Sequence, residues 1–134
     1  MDFKVSTAAP DATGALVVSV EGELDISTAE HLAEPAGVAI ESGRAVLLDL
    51  SECSFIDSSG LREVLHAYRR LDEIGRPMVV VTGRDSAVQK MLSVAGLDLS
   101  VRVFATPEEA FAWLGSEAGS EVTGATGAQA QEMA

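Results

Sequence analysis

Apolar residues recur along this chain in two alternating rhythms. Residues 15–20 (Ala-Leu-Val-Val-Ser-Val), 45–50 (Ala-Val-Leu-Leu-Asp-Leu) and 78–82 (Met-Val-Val-Val-Thr) are short, nearly continuous aliphatic runs. All three read as strands, and the runs at 45–50 and 78–82 have the pattern of buried, central ones. Between them the spacing becomes helical. Leu61, Val64, Leu65, Tyr68, Leu71 and Ile74 recur on one side, with Arg62, Glu63, Arg69, Arg70, Asp72 and Glu73 on the other. Gly75 suits the left-handed position that ends such a helix.

The remaining segments follow the same logic. Pro10 to Gly14 signals a turn, so residues 3–7 form a hairpin partner for the run at 15–20. Ser27-Thr28-Ala29-Glu30 has capping-box spacing and opens a helix to about Ser42, with Leu32, Ala36, Ala39 and Ile40 as its stripe. Pro35 and Gly37 lie inside it. An interior proline costs about 3 kcal/mol, which predicts a kink or break there. Asp85 or Ser86 caps a helix carrying Val88, Met91, Leu92 and Ala95, closed by Gly96. Residues 101–104 form a last strand. Thr106-Pro107-Glu108-Glu109 combines a capping threonine, a first-turn proline and a glutamate three residues after the cap. The helix it opens buries Ala110, Phe111 and Leu114.

The predicted order is β-β-α-β-α-β-α-β-α. This is an α/β fold with a mixed, mainly parallel sheet, opening with a hairpin and packed with about four helices. Residues 1–114 make one domain, in keeping with a chain of 134 residues. Residues 115–134 are Gly, Ser, Thr, Ala, Gln and Glu with almost no large apolar side chain, the composition of a disordered acidic tail.

Composition narrows the function. Hydrophobic residues are 47 % and aromatics only 4 %, so aliphatic side chains fill the core. The net charge of −12 argues against binding a phosphate backbone or an anionic membrane surface. Cys53, the one cysteine, forms no internal disulfide and no metal site of its own. It reads as a small buried or semi-buried side chain in a reducing, cytoplasmic setting. No apolar run reaches the length of a membrane span, and Met1-Asp2-Phe3-Lys4 does not begin like a signal peptide.

The most informative segment is Phe55-Ile56-Asp57-Ser58-Ser59-Gly60-Leu61. It joins the strand ending at Leu50 to the long amphipathic helix. Two serines and a glycine fall where backbone N–H groups lack partners and the helix dipole is positive. A serine there caps the helix, and a phosphoserine is tolerated electrostatically. Gly60 leaves room for another molecule to approach.

This motif, with Gly22-Glu23-Leu24-Asp25 and Val46-Leu47-Leu48-Asp49-Leu50-Ser51 before it, resembles the bacterial anti-sigma factor antagonists of the STAS-domain family. Gly75 to Val81, Val88 to Leu92 and Gly96-Leu97 continue the likeness, which covers Val5 to Leu114. The resemblance implies a partner switch. The unphosphorylated domain binds an anti-sigma factor that is itself a GHKL-type serine kinase, and a sigma factor is released. Phosphorylation falls on the first serine, Ser58, and blocks binding; a PP2C-type phosphatase reverses it. Ser59 matches the second position; Asp57, Gly60 and Leu61 match the surrounding motif. Asp25, with Ser27 and Thr28 after it, matches the loop beside the phosphorylation site. These eight residues are the expected partner-binding set, and the reading needs no metal, cofactor or catalytic residue. The helix end stabilises the phosphate within the domain, so an interface switches and the fold does not.

Three other readings fit less of the sequence. A serine hydrolase would need His31 or His66 beside Ser58 or Ser59, and the Gly-x-Ser-x-Gly elbow is missing. A receiver domain would use Asp49, but its acidic pair and later lysine are not apparent. No phosphate-binding glycine loop occurs. A constitutive STAS-like scaffold remains the alternative within the same fold. Arg62, Arg69 and Arg70 read as a solvated face with an Arg69–Glu73 pair.

Overall fold

The computed structural model describes residues 2–9 and 13–116. The expected tail lies outside the described residues from position 117 onward. Nine main elements follow one another: β1 (Lys4–Ala8), β2 (Leu16–Leu24), α1 (Ala29–Glu41), β3 (Val46–Ile56), α2 (Ser58–Glu73), β4 (Met78–Val81), α3 (Ala87–Val94), β5 (Arg102–Phe104) and α4 (Pro107–Leu114). A single 3₁₀ turn, Leu97–Leu99, precedes β5.

The strands form one sheet in the order β1-β2-β3-β4-β5. β1 pairs antiparallel with β2, and the other three pairings are parallel. The sheet is mixed and opens with the expected hairpin. Side chains alternate across it, which produces two cores. Val18, Val20, Leu48, Leu50 and Val80 pack with buried residues of α1, α2 and α3. Leu47, Val79 and Val81 face the other way, onto Ala110 of α4. β4 is therefore buried along its whole length.

Three expectations change at this level. β3 does not stop at Leu50; it continues to Ile56. β2 continues beside it, with Glu21 opposite Glu52, Gly22 opposite Cys53 and Leu24 opposite Ile56. Register shifts flank Gly22, whose φ of 102° is open to glycine and strained for other residues. A Cβ there would also press on the Asp2 carbonyl and Phe3 backbone at 3.1 and 3.2 Å. Second, α1 is one unbroken helix across Pro35 and Gly37. Packing of Leu32, Ala39 and Ile40 into the core outweighs the missing amide of Pro35. Third, the capping box does not form. Thr28 flanks α1 without a side-chain cap bond, because its hydroxyl oxygen accepts from the Asp25 amide at 2.9 Å while its proton goes to the Glu23 carbonyl at 2.7 Å.

Smaller details also shift. Met91 and Ala95 of the third helix face solvent, and Ile74 is half exposed. The only ion pair among the described residues is Arg84–Glu109 at 3.7 Å, so the Arg69–Glu73 pair is not made. Gly75 does take the left-handed conformation, with φ 72°. Ser86 and Thr106 cap α3 and α4 through their hydroxyls.

Candidate docking site

Because β2 and β3 are parallel and end in register, their following loops leave the sheet side by side. The first loop is Asp25 to Thr28. Asp25 Oδ1 accepts from the Ser27 amide at 2.9 Å and from the Ser27 hydroxyl at 2.7 Å. The Thr28 hydroxyl accepts from the Asp25 amide at 2.9 Å. The Ser27 hydroxyl, chiefly, and the Ser27 and Thr28 donors beside it hold the Asp25 carboxyl below its ordinary pKa. Ser27 thus serves Asp25 rather than capping α1.

The second loop is the start of α2, and Asp57 organises it. The helix cap is Asp57, not a serine. Its Oδ1 accepts from the Ser59 amide at 2.8 Å and the Gly60 amide at 3.1 Å. Its Oδ2 reaches across to accept from the Ile26 amide at 3.1 Å, and its own amide donates to the Leu24 carbonyl at 3.1 Å. One carboxylate therefore fastens the two loops together. An acceptor at an N-cap satisfies amides that the helix cannot.

Ser58 is the first residue of α2. It is exposed, and its hydroxyl makes no hydrogen bond among the described residues. Ser59 is half-buried beside it. Gly60 and Leu61, the next two residues of the expected set, are buried. The space at Gly60 is filled from within: a Cβ would meet Ile56 Cγ1 and the Leu24 carbonyl oxygen, each at 2.7 Å. The close approach that glycine permits is between α2 and the ends of β2 and β3, not with a second molecule.

The histidines stand apart from the serines. His31 lies 6.1 Å from the Phe3 ring, tilted, and His66 is exposed along α2. Neither hydrogen-bonds Ser58 or Ser59 among the described residues. Asp49 lies within β3, where its Oδ1 accepts from the Ser51 amide and hydroxyl. Cys53 is buried, and burial pushes its thiol pKa up. Among the described residues no three His, Cys, Asp or Glu side chains converge to hold a metal. No helix there is long and apolar enough to cross a membrane.

Sequence reasoning missed Ile26. Its residue is 80 % exposed on a loop whose backbone Asp57 holds. Phe55, two residues before Asp57, is also exposed, at 45 %. The signal in the sequence was a large aliphatic residue between Asp25 and Ser27, where neither strand nor helix periodicity asks for one.

The STAS domain family profile matches residues 6–110. The chain belongs to the STAS domain family. Among STAS relatives, the anti-sigma-F factor antagonist RsfB of Mycobacterium tuberculosis is 30 % identical over 107 residues, 79 % of this chain and 86 % of RsfB. An anti-sigma factor antagonist from Mycobacterium paratuberculosis has a solved structure that superposes with a TM-score of 0.71 at 28 % identity. That match covers 81 % of this chain and 92 % of the other. Bacillus SpoIIAA in its phosphorylated form shares the fold, with a TM-score of 0.61 at 24 % identity over 84 % of this chain and 99 % of that one.

Proposed function

We propose that this STAS domain is an anti-sigma factor antagonist. Its unmodified form binds an anti-sigma factor with GHKL-type serine kinase activity and frees a sigma factor. Phosphorylation of Ser58 ends that binding, and a PP2C-type phosphatase restores it. The observation that carries the reading is a free, exposed serine hydroxyl at the start of α2, on two loops fastened by Asp57. The names of RsfB and the Mycobacterium paratuberculosis protein support the partner class. The domain works in the cytoplasm by docking, without a catalytic step of its own.

The geometry suits a switch at the surface. A phosphate adds about −1.5 to −2 charges. The Ser59 and Gly60 amides, which a helix end would otherwise offer to an anion, are already taken by Asp57. A phosphate on Ser58 is left with the helix dipole and the Ser58 amide, and its charge also stands beside the Asp57 carboxylate on an exposed residue. A partner pressed against Asp25, Ser27, Thr28 and Ser59 must then bury an unmatched dianion. Each 1.4 kcal/mol of that penalty is tenfold in affinity.

The test is titration calorimetry of the chain with its anti-sigma factor. Ser58→Ala binds with or without ATP, whereas Ser58→Asp binds at least tenfold more weakly. Intact-mass and fragment analysis after kinase treatment places one phosphate on Ser58. Equal affinities of the two variants, or a phosphate elsewhere, overturn the assignment.

A further inference from the structure

A partner surface needs something that gains by leaving water, and Ser58 and Asp25 do not supply it. Ile26 does. It is 80 % exposed, and its side chain contributes nothing to either core. Its backbone is held in place. The Asp57 carboxylate takes its amide at 3.1 Å, and both neighbours are held, Asp25 by Thr28 and Ser27 by Asp25. Backbone ordered in advance is not ordered again on binding, so burial of the side chain counts almost in full. No lysine or arginine occurs in residues 21–30 or 49–61, while Glu21, Glu23, Asp25, Glu30, Asp49, Glu52 and Asp57 do; the first base after them is Arg62 on α2.

From this we infer that Ile26 is a specificity-determining anchor of the docking face, and that Asp57 is its positioning residue. The occupant is a surface of the anti-sigma factor with an apolar pocket bordered by cationic side chains. This inference rests on the proposed function above. It adds that the two loops act as one unit: the carboxylate that caps α2 also sets where Ile26 stands. Asp57, with both oxygens engaged inside the domain, positions the surface more than it contacts the partner.

The experiment first identifies by mass spectrometry the anti-sigma factor that the full, unmodified chain retains from its own cytosol, then purifies it as the probe. Ile26→Ser loses roughly tenfold to a hundredfold in affinity, the range for withholding one aliphatic side chain from burial. Ile26→Val stays near wild type, and the thermal midpoint of both is unchanged. Asp57→Asn keeps one acceptor oxygen for the cap and loses the acceptor facing Ile26. Its Ile26 amide exchanges with solvent about tenfold faster or more, as for a lost bond to a charged acceptor. Its affinity loss shrinks in the Ile26→Ser background, because the two changes act through one contact. Wild-type affinity in Ile26→Ser overturns the anchor while leaving the proposed function intact. An Asp57→Asn loss that persists undiminished in the double variant, or an unchanged Ile26 amide, overturns the positioning role. Failure of the unmodified chain to retain any anti-sigma factor overturns the proposed function and this inference with it.

Discussion

A methyl group at position 60 would stand 2.7 Å from both the Leu24 carbonyl oxygen and Ile56 Cγ1. Neither neighbour is a free end that can swing away. Gly60→Ala is therefore expected to destabilise the domain by about 1–3 kcal/mol, the range for overpacking a filled site, read as a lower urea midpoint. Asp57→Ala removes the cap of α2, and its cost is about 1 kcal/mol by the same measurement. Asp25 adds a pH dependence. Its folded-state pKa lies below the unfolded value, chiefly through the Ser27 hydroxyl. Ionised Asp25 thus holds its loop above the ordinary carboxylate range and loses that hold as pH falls through the folded value. The Ser27 amide resonance, followed by NMR through an acid titration, moves with the Asp25 carboxyl. At this scale the sequence pointed to the right segment and the wrong capping group. Asp, Ser and Ser all cap helices, and only the point where the extended backbone of Asp57 gives way to helix decides which side chain faces the amides.

Pro35 poses the question of scale one level up. A local rule predicts a kink or break in α1, but the helix does not break, because Leu32, Ala39 and Ile40 are buried in one core with the sheet and α2. Restoring the amide should therefore help. Pro35→Ala is expected to raise the thermal midpoint, by the equivalent of up to about 3 kcal/mol. The second half of β3 was hidden for the opposite reason. Ser51-Glu52-Cys53-Ser54 has no aliphatic run and reads as a loop. It becomes a strand because β2 lies beside it, a partner thirty residues away in sequence that no local window contains. The buried strands 45–50 and 78–82, the helix at 61–74 and the capped α4 were legible because pattern and propensity agree there.

Across the whole molecule the sign of the charge carries the expectation. A chain at −12, whose docking loops contain acids and no bases, is steered toward a cationic partner. The association rate with the anti-sigma factor should fall as salt rises, while dissociation, set by buried contacts, changes less; stopped-flow measurements at two ionic strengths read both. The fold class and the order of elements were within reach of the sequence, since β-β-α followed by strand–helix units leaves few arrangements. The joining of two loops by one carboxylate was not, because it depends on where β2 and β3 end together.

The placement of α4 has a practical outcome. Trp113, the chain's single tryptophan, sits there beside Phe104 with the Arg102 guanidinium 4.8 Å above its ring. It belongs to the core opposite the one that α2 covers. Its emission should change when the domain melts and stay silent when Ser58 is modified or a partner arrives. The protein thus carries a built-in fluorophore that separates loss of folding from loss of docking in a single cuvette.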